Sequence, residues 1–463
     1  MINKDFYKIK DKYNDLDKSK AINDLSNFIK CKTISYIDQT KMDFSEFTKI
    51  HSYIIDNYPY INKYGKYNII NKGSIYYEIE GKDLNKPAII LMGHLDVVPP
   101  IEEDKWDYEP FSGEITEKYI YGRGSLDMKN IDCTILNSIE YSLSHFGKPD
   151  KTIYICFGHD EETLGKKGQW EIKNKLREKN VNIGMVIDEG GTYSKGTKYN
   201  ISKDILEIQV GEKGYLDIKI EGTSEGGHSS NPGKSTALTN VCNAITKITS
   251  NPFESNLDDT LIKTINNIKP YIIDEEFKQL CDDVESNHDK IASYLDKKLN
   301  LGPYVKTTIA PTMISSDSKG ANVLPKEVSA IINLRLSSFN KAKDVKEKIK
   351  DLLKDIDVKV TFLNEIDASQ ISSIDSNEYK LLTSLIKEHF NIDCIVPSIS
   401  IGGTDCCFYT ELTPNCYRFS PIINDEELAK TIHGVNEHVT IDSYINGIKF
   451  YIDLINKYCF WIG

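Results

Sequence analysis

At 463 residues the chain is longer than one hydrophobic core usually serves, so two domains are expected. Its 40% hydrophobic and 27% charged content is that of a globular protein, which excludes a fibrous repeat or long disorder. A formal net charge of −12, with acids and bases interspersed, disfavours nucleic acid and anionic membrane surfaces as partners.

No apolar run approaches the ~18–20 residues needed to cross a bilayer. The ten cysteines are scattered without a CxxC pair, and MINKDFYKIKDKYND at the amino end has no apolar stretch of the signal-peptide kind. A cytoplasmic protein with reduced thiols is the expectation.

Residues 1–70 read as helices: Leu25 with Phe28 and Ile29 recur at helical spacing in AINDLSNFIK, and FTKIHSYIIDNY repeats the pattern. The period then changes. SIYYEIEG, PAIILMGHLDVV, TIYICFGHDEE and IGMVIDEGG are short runs of Ile, Val, Tyr and Phe that end in polar or glycine residues. The helix-like MKNIDCTILNSIEYSLSHF lies among them. This alternation predicts an α/β domain, a mixed sheet with helices on both faces. Such sheets bind ligands beyond the carboxyl ends of their strands, where each polar cluster falls.

From residue 211 the pattern alternates apolar and polar, in YLDIKIEG and again in VSAIINLRL. Between these lie STALTNVCNAITKI and a polar helical insertion over 255–300. A smaller α+β domain with helices on one side is predicted. After residue 365 the helical EYKLLTSLIKEHF returns, followed by an apolar strand candidate and another polar cluster. The expected organisation is a domain of residues 1–210 and 365–463, interrupted by an inserted domain of 211–364.

Five polar clusters carry the chemistry. In GHLDVVPP, His94 and Asp96 stand two apart, and on a strand both would share one face. A metal-bound imidazole needs a partner for its other nitrogen, which Asp96 could supply. Asp127 of GRGSLDMKN precedes a helix, where by itself it would read as an N-cap. HDEETLG puts three acids in a row after an apolar strand, and these repel unless cations or protons hold them. VIDEGG adds Asp188 and Glu189, and IHGVNEHV adds His433. Two histidines and several carboxylates with no cysteine suit zinc or a similar first-row ion, and a shared Asp suits two ions.

In this order GHLDVVPP, GRGSLDMKN, HDEETLG, VIDEGG, EGGHSSNP, GGTD and IHGVNEH resemble the motifs of the co-catalytic zinc peptidases. That family includes glutamate carboxypeptidase, aminoacylase, succinyl-diaminopimelate desuccinylase and carboxypeptidase S. The resemblance spans residues 20–455, and GEKGYLDIKIEG, GGHSSNP, YRFSP and IHGVNEH look nearest to the branch of carboxypeptidase S and the N-fatty-acyl-amino-acid hydrolases.

The resemblance implies a zinc-peptidase catalytic domain with an inserted lid or dimerisation domain, working on a small molecule or short peptide. It implies two zinc ions, with cobalt or manganese as substitutes. His94 would bind one ion, Asp127 would bridge both, and Glu162 and His433 would bind the second. The remaining ligand is Asp188 or Glu189, with Glu189 favoured because a Glu followed by a small residue fills the role in the acylase and carboxypeptidase branches. Glu161 would be the general acid/base toward a metal-bridging hydroxide, and Asp96 would orient His94. His228 would reach from the inserted domain to the oxyanion, and Arg335, Asn322, Gly402 and Gly403 would hold substrate.

The implied reaction is hydrolysis of an amide next to a free carboxylate, by a carboxypeptidase or N-acyl-amino-acid amidohydrolase. A dipeptidase of the same family and an inactive relative serving as a binding protein are the alternatives. Monomers and homodimers built through the inserted domain both occur in the family. The sequence departs from its relatives after GGTD, where it carries CCFY in place of a polar or basic pair, and this bears on substrate preference.

Overall fold

The computed structural model describes residues 6–9, 12–101, 103–191, 193–423 and 426–460. The large sheet runs in the order Gly65–Ile70, Ser74–Ile79, Ile153–Gly158, Ala88–His94, Ile183–Asp188, Cys416–Arg418, Ile205–Glu212 and Cys394–Ser400, with Tyr193–Ser194 beside Ile205–Glu212. The sheet is mixed. Ala88–His94 pairs in parallel with both Ile153–Gly158 and Ile183–Asp188, whereas the first two strands pair antiparallel.

The unbroken apolar runs follow from burial on both faces. Ile89 and Leu91 enter one core with Leu136 and Ile448 of the helices Lys129–Phe146 and Ile441–Cys459. Their neighbours Ile90 and Met92 point the other way, against Ile172 and Leu176 of the helix Gln169–Glu178. A strand whose successive side chains enter two cores cannot show the polar alternation of a half-solvated one. Gly65–Ile70, by contrast, is a partly exposed edge strand, so the helical expectation for the first seventy residues ends at Tyr64.

The second sheet is antiparallel, in the order Thr308–Ser316, Glu327–Leu336, Gly214–Thr223, Lys359–Ile366. Glu327–Leu336 alternates strictly between buried and less buried positions. Its inward residues Val328, Ala330, Ile332 and Leu334 pack on Val241 and Ile248 of Ala237–Thr249 and on Val345 and Ile349 of Ala342–Leu353. This is the smaller α+β unit expected from the alternation.

The crossing points touch: Ser369 N donates to Glu212 O at 3.0 Å, and Glu212 N donates to Ser369 Oγ at 2.9 Å. A Cβ on Gly214 would stand 2.4 Å from Ile366 O, so the approach of the two crossing segments requires glycine there.

The segment 211–364 does not build a single core. Helices Asp259–Ile268 and His288–Lys297 bury Leu261, Ile265, Ile291 and Leu295 with Ile205, Cys394 and Val396 of the large sheet, not with the four-stranded one. The apolar stripe of an amphipathic helix fixes that it is buried, not which sheet covers it.

Candidate metal centre

Three parallel strands end side by side, and each delivers part of one cluster. Ala88–His94 ends on His94, Ile183–Asp188 is followed by Glu189, and Ile153–Gly158 leads into a short turn, Glu161–Thr163. Asp127 comes from the loop before Lys129–Phe146. Met128 takes the N-cap position of that helix, which leaves the Asp127 carboxylate for the cluster. His433 comes from the loop before the strand His438–Thr440.

His94 is 1% exposed, and its Nε2 lies 3.1 Å from Asp127 Oδ1, 3.4 Å from Glu189 Oε1 and 4.0 Å from Glu161 Oε2. The other Asp127 oxygen lies 3.1 Å from His433 Nε2, which is also 3.1 Å from Glu162 Oε1. One carboxylate therefore spans two imidazoles. Ligand atoms of His94, Glu161 and Glu189 all lie within 4.8 Å of one another, as do those of His94, Asp127 and Glu162.

Four carboxylates and two imidazoles in this space compete for protons. Burial lifts the Glu161 carboxyl well above its ordinary value; His94 opposes this, and Glu189, Asp405 and Glu162 add to it. Burial, then Asp127, raise Glu189 to about 7. Bonds to Asp127 and Glu162 hold His433 up to about 10. Against burial, His433 and His94 pull Asp127 below the usual carboxylate range. Divalent cations would replace these protons, and a set of imidazoles and carboxylates fits zinc or a similar ion.

Asp96 lies two residues past the end of its strand, so strand periodicity does not describe its placement. The loop instead turns its backbone oxygen to His94 Nδ1 at 2.9 Å, with the carboxylate at 3.5 Å. That carboxylate accepts the backbone N–H groups of Glu161 and Glu162 at 3.2 and 3.3 Å, and so anchors the turn that carries both. Asp188 is buried and turned away from the cluster: its oxygens accept from Glu189 N at 2.9 Å and Cys406 N at 3.0 Å.

The expected substrate residues fall into two groups. Arg335 stacks over Tyr215 at 4.7 Å, and a Cβ on Gly403 would meet its Nη1 at 3.9 Å. Arg335 and the Gly402–Gly403 loop therefore meet. His228 and Asn322 lie together on an exposed two-stranded ribbon, where His228 Nδ1 is 2.8 Å from Ser230 Oγ and Asn322 O accepts from Ser229 N. Cys406 is fully buried, and Cys407 is half-buried.

Two buried ion pairs brace the site and were not singled out from the sequence. Arg418 Nε donates to Glu212 Oε2 at 2.8 Å, and the same oxygen accepts from Thr404 of the GGTD loop. Arg123 Nη1 donates to Glu437 Oε2 at 2.5 Å. Both pairs sit inside the quoted motifs GEKGYLDIKIEG, YRFSP, GRGSLDMKN and IHGVNEH, which is the available signal.

The profile described as Peptidase family M20/M25/M40 matches residues 90–457, a span that contains every member of the cluster. The chain belongs to this family. Its members are metal-dependent hydrolases, and this chain is a carboxypeptidase-like one. It is 34% identical over 433 residues to a protein of Dictyostelium discoideum named "Probable carboxypeptidase S-like 2", covering 92% of this chain and 82% of that one. It is 32% identical over 400 residues to the mouse "N-fatty-acyl-amino acid synthase/hydrolase PM20D1", covering 85% and 78%. The fold matches the M20 family metallo-carboxypeptidase Sso-CP2 of Sulfolobus solfataricus with a TM-score of 0.71 at 20% identity, over 95% of this chain and 99% of that one. Among the described residues no helix is long and apolar enough to cross a membrane.

Proposed function

We propose that the protein hydrolyses an amide bond adjacent to a free carboxylate, in an N-acyl amino acid or a short peptide. The observation that carries this is Asp127, with one oxygen toward each of two imidazoles. His94, Glu189 and Asp127 would hold one zinc ion, and Asp127, Glu162 and His433 the other. Such a pair supplies an acidified water and positive charge beside the scissile carbonyl.

Glu161 accepts a proton from the attacking water and returns it to the leaving nitrogen. Asp96 fixes the Glu161–Glu162 turn through two backbone bonds, so the base and its neighbour move as a unit. Arg335, beside Gly403, pairs with the substrate carboxylate. His228 donates to the oxyanion after moving in from the smaller unit, or from a second copy of the chain. The edge strand Thr308–Ser316, with Met313 68% and Ile314 57% exposed, supports a homodimer built through this unit.

A dipeptidase would be favoured by Asp188 as the ligand, and the two backbone N–H groups that Asp188 accepts favour Glu189 instead. Intact Glu161 and a complete ligand set speak against an inactive relative. The test is a panel of N-acyl amino acids and dipeptides, each with a free and an amidated carboxyl end, with and without a zinc chelator. Hydrolysis of free acids alone, abolished by chelation and restored by Zn²⁺, is expected. Equal rates on amidated substrates would refute the carboxylate requirement, and chelator-resistant activity would refute the metal.

A further inference from the structure

We propose that Glu437, with Arg123, is a positioning residue that sets the spacing of the two loops carrying Asp127 and His433, and thereby the affinity for the second of two metal ions. This rests on the metal-centre reading above. Glu437 is fully buried. Its Oε1 accepts three backbone N–H groups of the other loop, from Gly124 at 3.1 Å, Leu126 at 2.8 Å and Asp127 itself at 3.1 Å. Its Oε2 faces the Arg123 guanidinium, whose Nη2 reaches across to Gly434 O at 3.0 Å, one residue past His433.

The clamp continues into paired backbone. Gly122 N donates to Glu437 O at 2.8 Å, and His438–Thr440 pairs antiparallel with Tyr119–Tyr121. Two loops more than 300 residues apart in the chain are thus joined through one carboxylate and one guanidinium. One oxygen accepts three amides and the other a guanidinium, so the loop cannot shift without breaking charge-assisted bonds.

The geometry assigns most of the consequence to one ion. His94 and Glu189 stand at the ends of adjacent sheet strands and owe their positions to the sheet. His433 lies on a loop and not at a strand end; Arg123 and Glu437 join that loop to Asp127's loop, and Asn436 joins it to Asp107. Weakening the clamp lets His433 and Asp127 drift apart. Both ions share Asp127, but the ion at Glu162 also loses the placement of His433, so it loosens more than the ion at His94 and Glu189, which keeps two ligands placed by the sheet. Partners that orient ligands are worth about 10–100-fold in metal affinity.

The experiment titrates chelator-stripped full-length protein with Zn²⁺ by calorimetry, for wild type, Glu437→Gln and Arg123→Lys. Wild type is expected to take two equivalents. Glu437→Gln keeps the shape but turns an amide N–H toward Arg123; one equivalent should weaken roughly 10–100-fold and the other distinctly less. Excess Zn²⁺ should then restore turnover. Arg123→Lys keeps a cation beside Glu437 but cannot bridge to Gly434 as well, and should give a smaller loss at the same equivalent; it decides the matter if the first variant does not fold. Both equivalents unchanged, or both weakened alike, would overturn the proposal. A wild-type protein that binds no metal would instead overturn the metal centre itself.

Discussion

The adjacent acids Asp188 and Glu189 give the sharpest test of the site's wiring, because substituting each should produce a different failure. Glu189 stands 3.4 Å from His94 Nε2 and shares a ligand-atom group with His94 and Glu161, whereas Asp188 accepts two backbone amides. In Asp188→Asn, one oxygen becomes an NH₂ that faces either Glu189 N–H or Cys406 N–H, donor against donor. Losing a buried charge-assisted bond of this kind costs about 1–3 kcal/mol. The melting temperature should fall by about 1–3 °C, while two equivalents of metal remain. Glu189→Gln leaves those amides paired and the fold intact, but removes an anionic ligand. Its metal affinity should drop by at least the ~10–100-fold that an outer partner is worth. Metal content by mass spectrometry after dialysis, read beside a thermal melt, separates the two. Metal loss in Asp188→Asn with full retention in Glu189→Gln would refute the assignment.

Other expectations follow from the same geometry. Glu161→Gln should keep its metal but lose about 10²–10⁴-fold in turnover; wild-type rates would remove Glu161 from the proton-transfer role. Arg335→Ala should raise KM for free-carboxylate substrates by roughly 10–100-fold, the worth of a charge-assisted bond. An unchanged KM would leave Arg335 as a partner of Tyr215 only. Against burial, Asp453 is pulled down to about 2 by His389, Lys12 and Tyr13. Its folded value lies below its ordinary 3.8, so the stabilisation is full above that value and is lost as pH falls toward 2. The stability advantage of wild type over Asp453→Asn should shrink over that window, and a pH-independent difference would contradict it.

The sequence exposes most of the catalytic frame because its strands are buried on both sides. A run such as AIILMGH, ending abruptly in a polar residue, marks both a central strand and the mouth of a site. The Asp127 and His433 loops lack that periodic signal, and their place came from motif order. Strand periodicity stops at His94, and it is the loop geometry beyond it that turns Asp96 toward the imidazole. The partners of Asp259–Ile268 and His288–Lys297 were not legible, since amphipathicity gives a helix an apolar face but no address. Glu437 was overlooked for a related reason. An acid in a polar loop looks solvated until the fold brings three amides and an arginine to it from elsewhere in the chain.

A two-metal centre built on Asp127 is tested most directly by an anomalous difference map at the zinc edge, from crystals of the zinc-loaded protein. Two peaks are expected, both against the Asp127 carboxylate, one also against His94 and Glu189 and the other against Glu162 and His433. No peak in the cluster, or a single peak out of reach of Asp127, would contradict it.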